Sequence, residues 1–255
     1  MPKPSILVTN DDGIYADGIL ALKEIMEELG DVTVAAPLAE KSAVGHAITL
    51  SDPLRVQEIQ RNGSFFGFAV NGTPADCVKL GIHCLMEKKP DLVVSGINLG
   101  RNTATNILYS GTVSAASEGT IMGCPSIAVS LTSFTRKEFD YSAKLALALA
   151  RKVLENGLPA GTLLNVNVPA VPEDEIKGIV MTRQGKGRYE ESFDKRVDPI
   201  NRTYYWLAGK RLILDEGDGV DDLVVEENMV SITPIQYDLT DYSFLKEMNT
   251  WKIEV

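Results

Sequence analysis

The stretch Ser5-Ile6-Leu7-Val8-Thr9-Asn10-Asp11-Asp12-Gly13 decides the fold. Its first five residues are uncharged and mostly apolar, the pattern of a strand buried on both faces in a parallel sheet. In an open α/β sheet the ligand crevice lies at the carboxyl ends of such strands, and here that end carries two adjacent carboxylates. Like charges a few ångströms apart repel by about 1 kcal/mol even in water and several-fold more in a cleft, so the pair calls for a cation or a shared proton. A divalent metal answers that need. The competing use of Asp11 or Asp12 is to cap the next helix or close an Asx-turn.

Working outward, Ile19, Leu22, Ile25-Met26 and Leu29 repeat at helical spacing, and Gly30 is the expected C-cap. Asp31 to Ala36 reads as a second strand stopped by Pro37, giving a βαβ opening and a parallel start to the sheet. Residues 47–50, 53–60 and 65–70 have strand composition around the hairpin signal Asn62-Gly63, and are expected to form an antiparallel excursion from the main sheet. A helix over 74–87, a short strand over 91–95, a long loop over 96–110, a helix over 112–122 and a strand over 126–131 follow. A helix over about 140–155, capped by Asn156-Gly157, and a strand over 163–168 complete an alternating, doubly wound α/β pattern. Past residue 170 the character changes. Pro169, Pro172 and a charged run give a linker-like break before β-rich pieces at 178–183, 203–207 and 229–234, which read as an arm or hairpin appendage rather than as core.

A chain of 255 residues with 44% hydrophobic composition can bury a large core, and its net charge of -10 excludes wrapping a nucleic-acid polymer or lying on an anionic membrane. A small phosphorylated ligand is still compatible, because a local metal overrides the global sign. No apolar run is long enough to span a bilayer and no secretory leader opens the chain, so cytoplasmic residence is expected. Cys77, Cys84 and Cys124 lack Cys-x-x-Cys spacing, and the first two are expected to be buried apolar residues of one helix.

Four loops at expected strand ends hold small polar residues: Asn10 to Gly13, Glu40 to His46, Ser95 to Asn102, and Tyr109 to Thr112. Loops that follow parallel strands gather on one edge of the sheet, so these can converge. Their ligand atoms are all oxygen: the Asp11 and Asp12 carboxylates, the Ser42 hydroxyl and the Asn98 amide carbonyl. Hard donors of this kind suit magnesium, manganese or calcium better than zinc, for which no Cys or His cluster is present. Ser110-Gly111-Thr112 opens a helix and offers an anion pocket at its positive end, or simply a cap. His46 could orient a leaving group or be structural, and His83 reads as structural. Arg183, Lys186 and Arg188 could meet a phosphate or decorate a solvated hairpin, and Tyr204-Tyr205-Trp206 could stack on a base or pack on a neighbouring strand. The chain has no Walker A motif, no Gly-x-Gly-x-x-Gly turn, no Cys-phosphatase signature and no Gly-x-Ser-x-Gly elbow. A water activated by the metal is the nucleophile that remains.

Taken together, Ile6 to Gly13, Lys41 to His46, Asn71-Gly72-Thr73-Pro74, Ser95-Gly96-Ile97-Asn98 and Tyr109 to Val113 resemble the SurE (survival protein E) family of metal-dependent nucleoside monophosphate phosphatases. Tyr204-Tyr205-Trp206 and Ser231-Ile232-Thr233-Pro234 extend the likeness into the tail. The resemblance implies a Rossmann-like catalytic core over 1–175, with a β-rich carboxyl-terminal extension over 176–255 that serves oligomerisation. It implies one divalent cation per subunit, magnesium or manganese, on Asp11, Asp12, Ser42 and Asn98. Asp11, Asp12 and Asn98 are then the expected catalytic residues, with Asp11 taking the proton of the attacking water. Asn98, Ser110, Gly111 and Thr112 are the expected phosphate site. The implied substrates are nucleoside 5′- and 3′-monophosphates, and the implied partner is the chain itself, as a homodimer or homotetramer that exchanges its arms. Base, the 5′ or 3′ choice, and short polyphosphate as a further substrate stay open. Ser114 departs from the Gly expected in the family's phosphate loop. A non-catalytic phospho-signalling receiver also places an acid pair after its first strand, but it needs an Asp where this chain has Asn98. A metal-dependent sugar-nucleotide binder or transferase is the third alternative.

Overall fold

The structure, a computed structural model, describes residues 3–253. Strand β1 (Ser5–Thr9) is buried along its whole length. Ile6 and Val8 enter one core layer and Leu7 the opposite one, which is why an unbroken apolar run is used there rather than an alternating one. Helix α1 (Asp17–Met26), β2 (Asp31–Pro37), β3 (Val56–Arg61), β4 (Ser64–Val70), α2 (Pro74–Leu80), β5 (Leu92–Leu99), α3 (Gly111–Ile121), β6 (Ser126–Leu131), α4 (Asp140–Asn156) and β7 (Thr162–Val168) continue the chain. Then come β8 (Ile179–Met181), β9 (Arg188–Val197), β10 (Thr203–Leu212), α5 (Asp221–Glu226), β11 (Val230–Gln236) and α6 (Tyr242–Met248). Nine strands form one mostly parallel sheet in the order β3-β4-β2-β1-β5-β6-β7-β11-β8, while β9 and β10 pair as a separate antiparallel hairpin. The chain leaves β1 toward β2 on one side and returns to β5 on the other. The reversal of order, where such sheets bind ligands, therefore lies between β1 and β5. No described helix is long and apolar enough to cross a membrane.

Several expectations are corrected. Helix α1 ends at Met26, with Glu27 rather than Gly30 as its C-cap. Residues 47–50 form no strand; Thr49 is instead tied to Asp76 of α2 by its backbone N–H at 3.0 Å and its hydroxyl at 2.6 Å. The β3–β4 hairpin is no excursion, because β4 pairs in parallel with β2 and so extends the main sheet. The helix expected over 74–87 is α-helical only to Leu80 and continues as a π-helical turn over Gly81–Leu85, whose added residue per turn leaves Cys84 exposed while Cys77 and Cys124 are buried. Strand β5 runs on to Leu99, since Ile97 is fully buried and Asn98 and Leu99 pair with Ser130 and Leu131. The tail is only partly an appendage: β11 lies antiparallel to β7 and β8 parallel to β11, while the β9–β10 hairpin is the part that stands away.

Helix α3 is rich in Ser and Thr, yet every residue from Gly111 to Thr120 is buried. Two of its hydroxyls bond carbonyls one turn back, Ser114 that of Ser110 at 2.6 Å and Thr120 that of Ala116 at 3.1 Å, and Thr112 bonds Asp11, so small polar residues can line a helix wedged between neighbours.

Asp76 and Glu118 tie the irregular 40–50 segment to α2 and α3. Burial pushes both carboxyls up, but bonds from Thr49 and Thr73 on Asp76, and from His46 and Lys79 on Glu118, more than reverse this and hold both below their ordinary values. A depressed acid stabilises the fold above its unfolded pKa, and that stabilisation is lost as pH falls through the lower, folded value. The urea midpoint is therefore expected to hold above about pH 5 and to fall steeply below about pH 4. Asp76→Asn and Glu118→Gln should each flatten that acid limb; an unchanged limb in both variants contradicts the assignment.

Candidate metal and phosphate site

Between β1 and α1 the chain turns on Asn10. Its side-chain Nδ2 donates to the Gly13 carbonyl at 2.9 Å, and its Oδ1 accepts from the Gly13 N–H at 3.2 Å. The N-cap of α1 is Ala16, with no side-chain cap bond. Neither Asp11 nor Asp12 is consumed in capping, and both are left for other work.

Asp11 is 4% exposed, and its Oδ1 accepts a hydrogen bond from the Thr112 hydroxyl. Burial pushes its carboxyl up, only partly offset by the bonds from Thr112. Burial, and then the charge of Asp11, push Asp12 up to about 6, against one N–H bond from Leu99 at 3.3 Å. Among the described residues neither carboxylate makes a salt bridge, although such bridges occur elsewhere in the chain. Two desolvated acids of like charge, adjacent and without a cationic side chain, match the environment a divalent cation relieves.

The remaining oxygens are nearby in the fold. Asn98 is buried, and its Nδ2 donates to the Gly100 carbonyl at 2.8 Å, which fixes the amide and leaves Oδ1 without a partner among the described residues. The Ser42 hydroxyl is exposed and donates to Glu40 at 2.6 Å. Its loop is held by Lys41 N–H to the Asp11 carbonyl at 2.8 Å and Gly45 N–H to the Tyr109 carbonyl at 3.0 Å. Asp11, Ser42, Asn98 and Ser110 line one cleft of about 720 Å³, while Asp12 faces an adjoining cavity of about 270 Å³ with Glu40 and Leu99. Among the described residues no three His, Cys, Asp or Glu side chains gather as a ligand set, so any cation here rests on two acids and neutral oxygens.

At the start of α3 the three expected phosphate residues do different things. Ser110 lines the cleft and caps the helix, its Oγ accepting from the Val113 N–H at 3.1 Å. Thr112 is fully buried and its hydroxyl is committed to Asp11. Gly111 lies against Asp11 so closely that a Cβ there would sit 2.7 Å from the Asp11 Cβ. Ser114 turns to a different cavity, which it shares with His46.

Other candidates fall outside the cleft. His46 bonds Glu118 at 2.8 Å, and Asn71 to Asp76 builds a capping box at the start of α2. His83 is exposed on the π-helical turn. Arg183 pairs with Asp215 at 2.8 Å on the surface, and Tyr204, Tyr205 and Trp206 are exposed on the hairpin. The structure adds cleft residues that had no local signal: Asn106, Phe134, Tyr189, Arg211 and Glu226. It also reveals a second adjacent acid pair, Asp221 and Asp222, fully enclosed by bonds from Ala104, Gly185 and Thr103, which fix the cleft wall at 102–106.

The family model described as Survival protein SurE matches residues 6–191. A relative named 5′-nucleotidase SurE from Chlorobium limicola is 48% identical over 254 residues, covering 100% of this chain and 98% of its own length. Its namesake from Chlorobaculum tepidum is 50% identical over 252 residues, covering 99% and 96%. The crystal structure of SurE protein from Aquifex aeolicus superposes with a TM-score of 0.84 at 44% identity, covering 96% of this chain and 98% of that one.

Proposed function

Because the chain belongs to the survival protein SurE family, we infer that it is a 5′-nucleotidase, a phosphoric monoester hydrolase that releases phosphate from nucleoside monophosphates. The observation that carries the reading to this site is the desolvated, unpaired acid pair just past β1, with Asp11 facing the start of α3 in the main cleft and Asp12 facing the adjoining cavity. A receiver module is disfavoured, because the end of β5, Asn98-Leu99, offers no acid to phosphorylate.

Asp11, Asp12, Ser42 and Asn98 would hold one divalent cation, magnesium or manganese, as an all-oxygen set. Bound there, the cation supplies charge neutralisation and polarises the phosphoryl group. Thr112 holds the Asp11 carboxylate in place, and Asp11 takes the proton of the attacking water. Asn98 and Ser110 orient the phosphoryl oxygens, and the positive end of α3 lowers the cost of their growing charge. Nucleoside 3′-monophosphates and short polyphosphate enter the same cleft. The three free thiols suit a reducing, cytoplasmic setting. The β9–β10 hairpin exposes Phe193, Tyr205, Trp206 and Leu207, apolar surface that a second copy of the chain covers in a homodimer or homotetramer.

Phosphate release from 5′-AMP, 3′-AMP and short polyphosphate, before and after chelation, tests this reading. Chelation should lower turnover by about 100-fold or more, and added magnesium or manganese should restore it. Full activity in excess chelator removes the metal from the reading; no phosphate from any nucleotide removes the function.

A further inference from the structure

The same cleft contains a second charged cluster. Arg101, just past β5, and Arg211, at the end of β10, both donate to Oε1 of Glu226 on α5, at 2.5 and 2.6 Å. Glu226 is half-exposed, and its Oε2 has no hydrogen-bond partner among the described residues. Arg101 is engaged through Nη1 alone. Both groups thus keep hydrogen-bonding capacity within a lined cleft. Arg211 also lies 3.7 Å from Asp222, so two guanidinium groups stand against two carboxylates and the cluster has no surplus charge. A second phosphate would find no net attraction there, whereas a neutral polar edge finds both a donor and an acceptor.

An aromatic face stands in the same cleft. Phe134 is 80% exposed, yet its ring is seated where a side chain on residue 100 would have to be: a Cβ on Gly100 would lie 2.7 Å from its Cε1. Gly100 has φ +117°, which disfavours other residues independently of the ring.

We propose that the Arg101–Glu226–Arg211 cluster reads the base of the nucleotide and selects a 6-oxopurine, guanine before hypoxanthine, with Phe134 as the stacking face. The proposal rests on the nucleotidase reading above. Guanine presents N1–H and N2–H as adjacent donors beside the O6 acceptor; a carboxylate accepts the pair and a guanidinium donates to the oxygen. Hypoxanthine keeps O6 and N1–H but lacks the second donor. Adenine reverses the polarity, placing an amino group toward the guanidinium and a lone pair toward the carboxylate. A site built for hydrogen bonds rejects the ligand that leaves them unmade.

The test is kcat/KM for GMP, IMP and AMP in the wild type, Glu226→Gln and Arg101→Met. The wild type should favour GMP over AMP by about tenfold or more, with IMP between. Each variant should bring the GMP-to-AMP ratio to within about threefold of unity, the loss residing in KM for GMP, which a purely structural brace would not single out. A wild-type ratio near one, or a ratio that survives both variants, overturns the proposal. p-Nitrophenyl phosphate, which carries no base, separates the failures. If it and all nucleotides are hydrolysed without preference, base selection fails and the nucleotidase reading stands; if it is hydrolysed and no nucleotide is, both fail.

Discussion

Asp11→Asn is expected to lower kcat by about a thousandfold or more at saturating magnesium or manganese, while leaving the fold intact. The substitution is nearly isosteric, and the retained Oδ1 can still accept the Thr112 hydroxyl that holds Asp11 now, so β1 and α3 keep their connection. What disappears is one of two desolvated negative charges. Asp12, pushed up to about 6 by burial and by the Asp11 charge, should then relax toward an ordinary carboxylate value. Without metal, the repulsion between the pair is relieved, and the thermal midpoint in chelator should stay constant or rise. Activity and stability therefore move apart, which separates a site residue from a structural one. Near-normal kcat at saturating metal would sink the role given to Asp11. Loss of activity together with a large fall in the chelated midpoint would mean that the carboxylate serves the fold.

The two adjacent acid pairs show what could be read from the sequence. Asp11-Asp12 follows a buried strand, and that placement alone points to a sheet-edge site; the strand, its face and the convergence of Asn98 and Ser110 on it follow from periodicity and from the geometry of parallel sheets. Asp221-Asp222 is the same dipeptide, but its partners are the N–H groups of Ala104 and Gly185 and the Thr103 hydroxyl, 117, 36 and 119 residues away along the chain. No local pattern separates a pair awaiting a cation from a pair saturated by distant backbone. Strand β9 is silent in the sequence for a related reason. Arg188 to Val197 carries charges on both faces because every residue of it is exposed, and a strand without a core leaves no alternation to read. Glu226 and Arg211 belong to this class too: their meaning appears only when α5 and the hairpin base are brought to the end of β5.

Gly111→Ala sets the two ways of reading this chain against each other. By helix propensity the change should stabilise α3 by roughly 0.5–1 kcal/mol, since glycine is a poor residue in a helix. The structure requires the opposite sign. A Cβ at residue 111 would lie 2.7 Å from the Asp11 Cβ, 2.8 Å from its Oδ2 and 3.1 Å from its Cγ. Asp11 cannot retreat, because just past a buried strand its carbonyl is held by the Lys41 N–H and its carboxylate by Thr112 on the same helix. Either the first turn of α3 lifts or the carboxylate turns away, and each breaks the contact that aims Asp11 into the cleft. Overpacking of this kind costs about 1–3 kcal/mol, and displacing a catalytic group by about 1 Å costs roughly 100-fold in rate. We therefore expect a thermal midpoint lowered by several degrees and kcat/KM for 5′-AMP lowered by about 100-fold, with weaker manganese binding by calorimetry. A raised midpoint with activity within about threefold of wild type would show that α3 yields freely at this turn. The tight seat of Asp11 against the helix start would then have no part in catalysis.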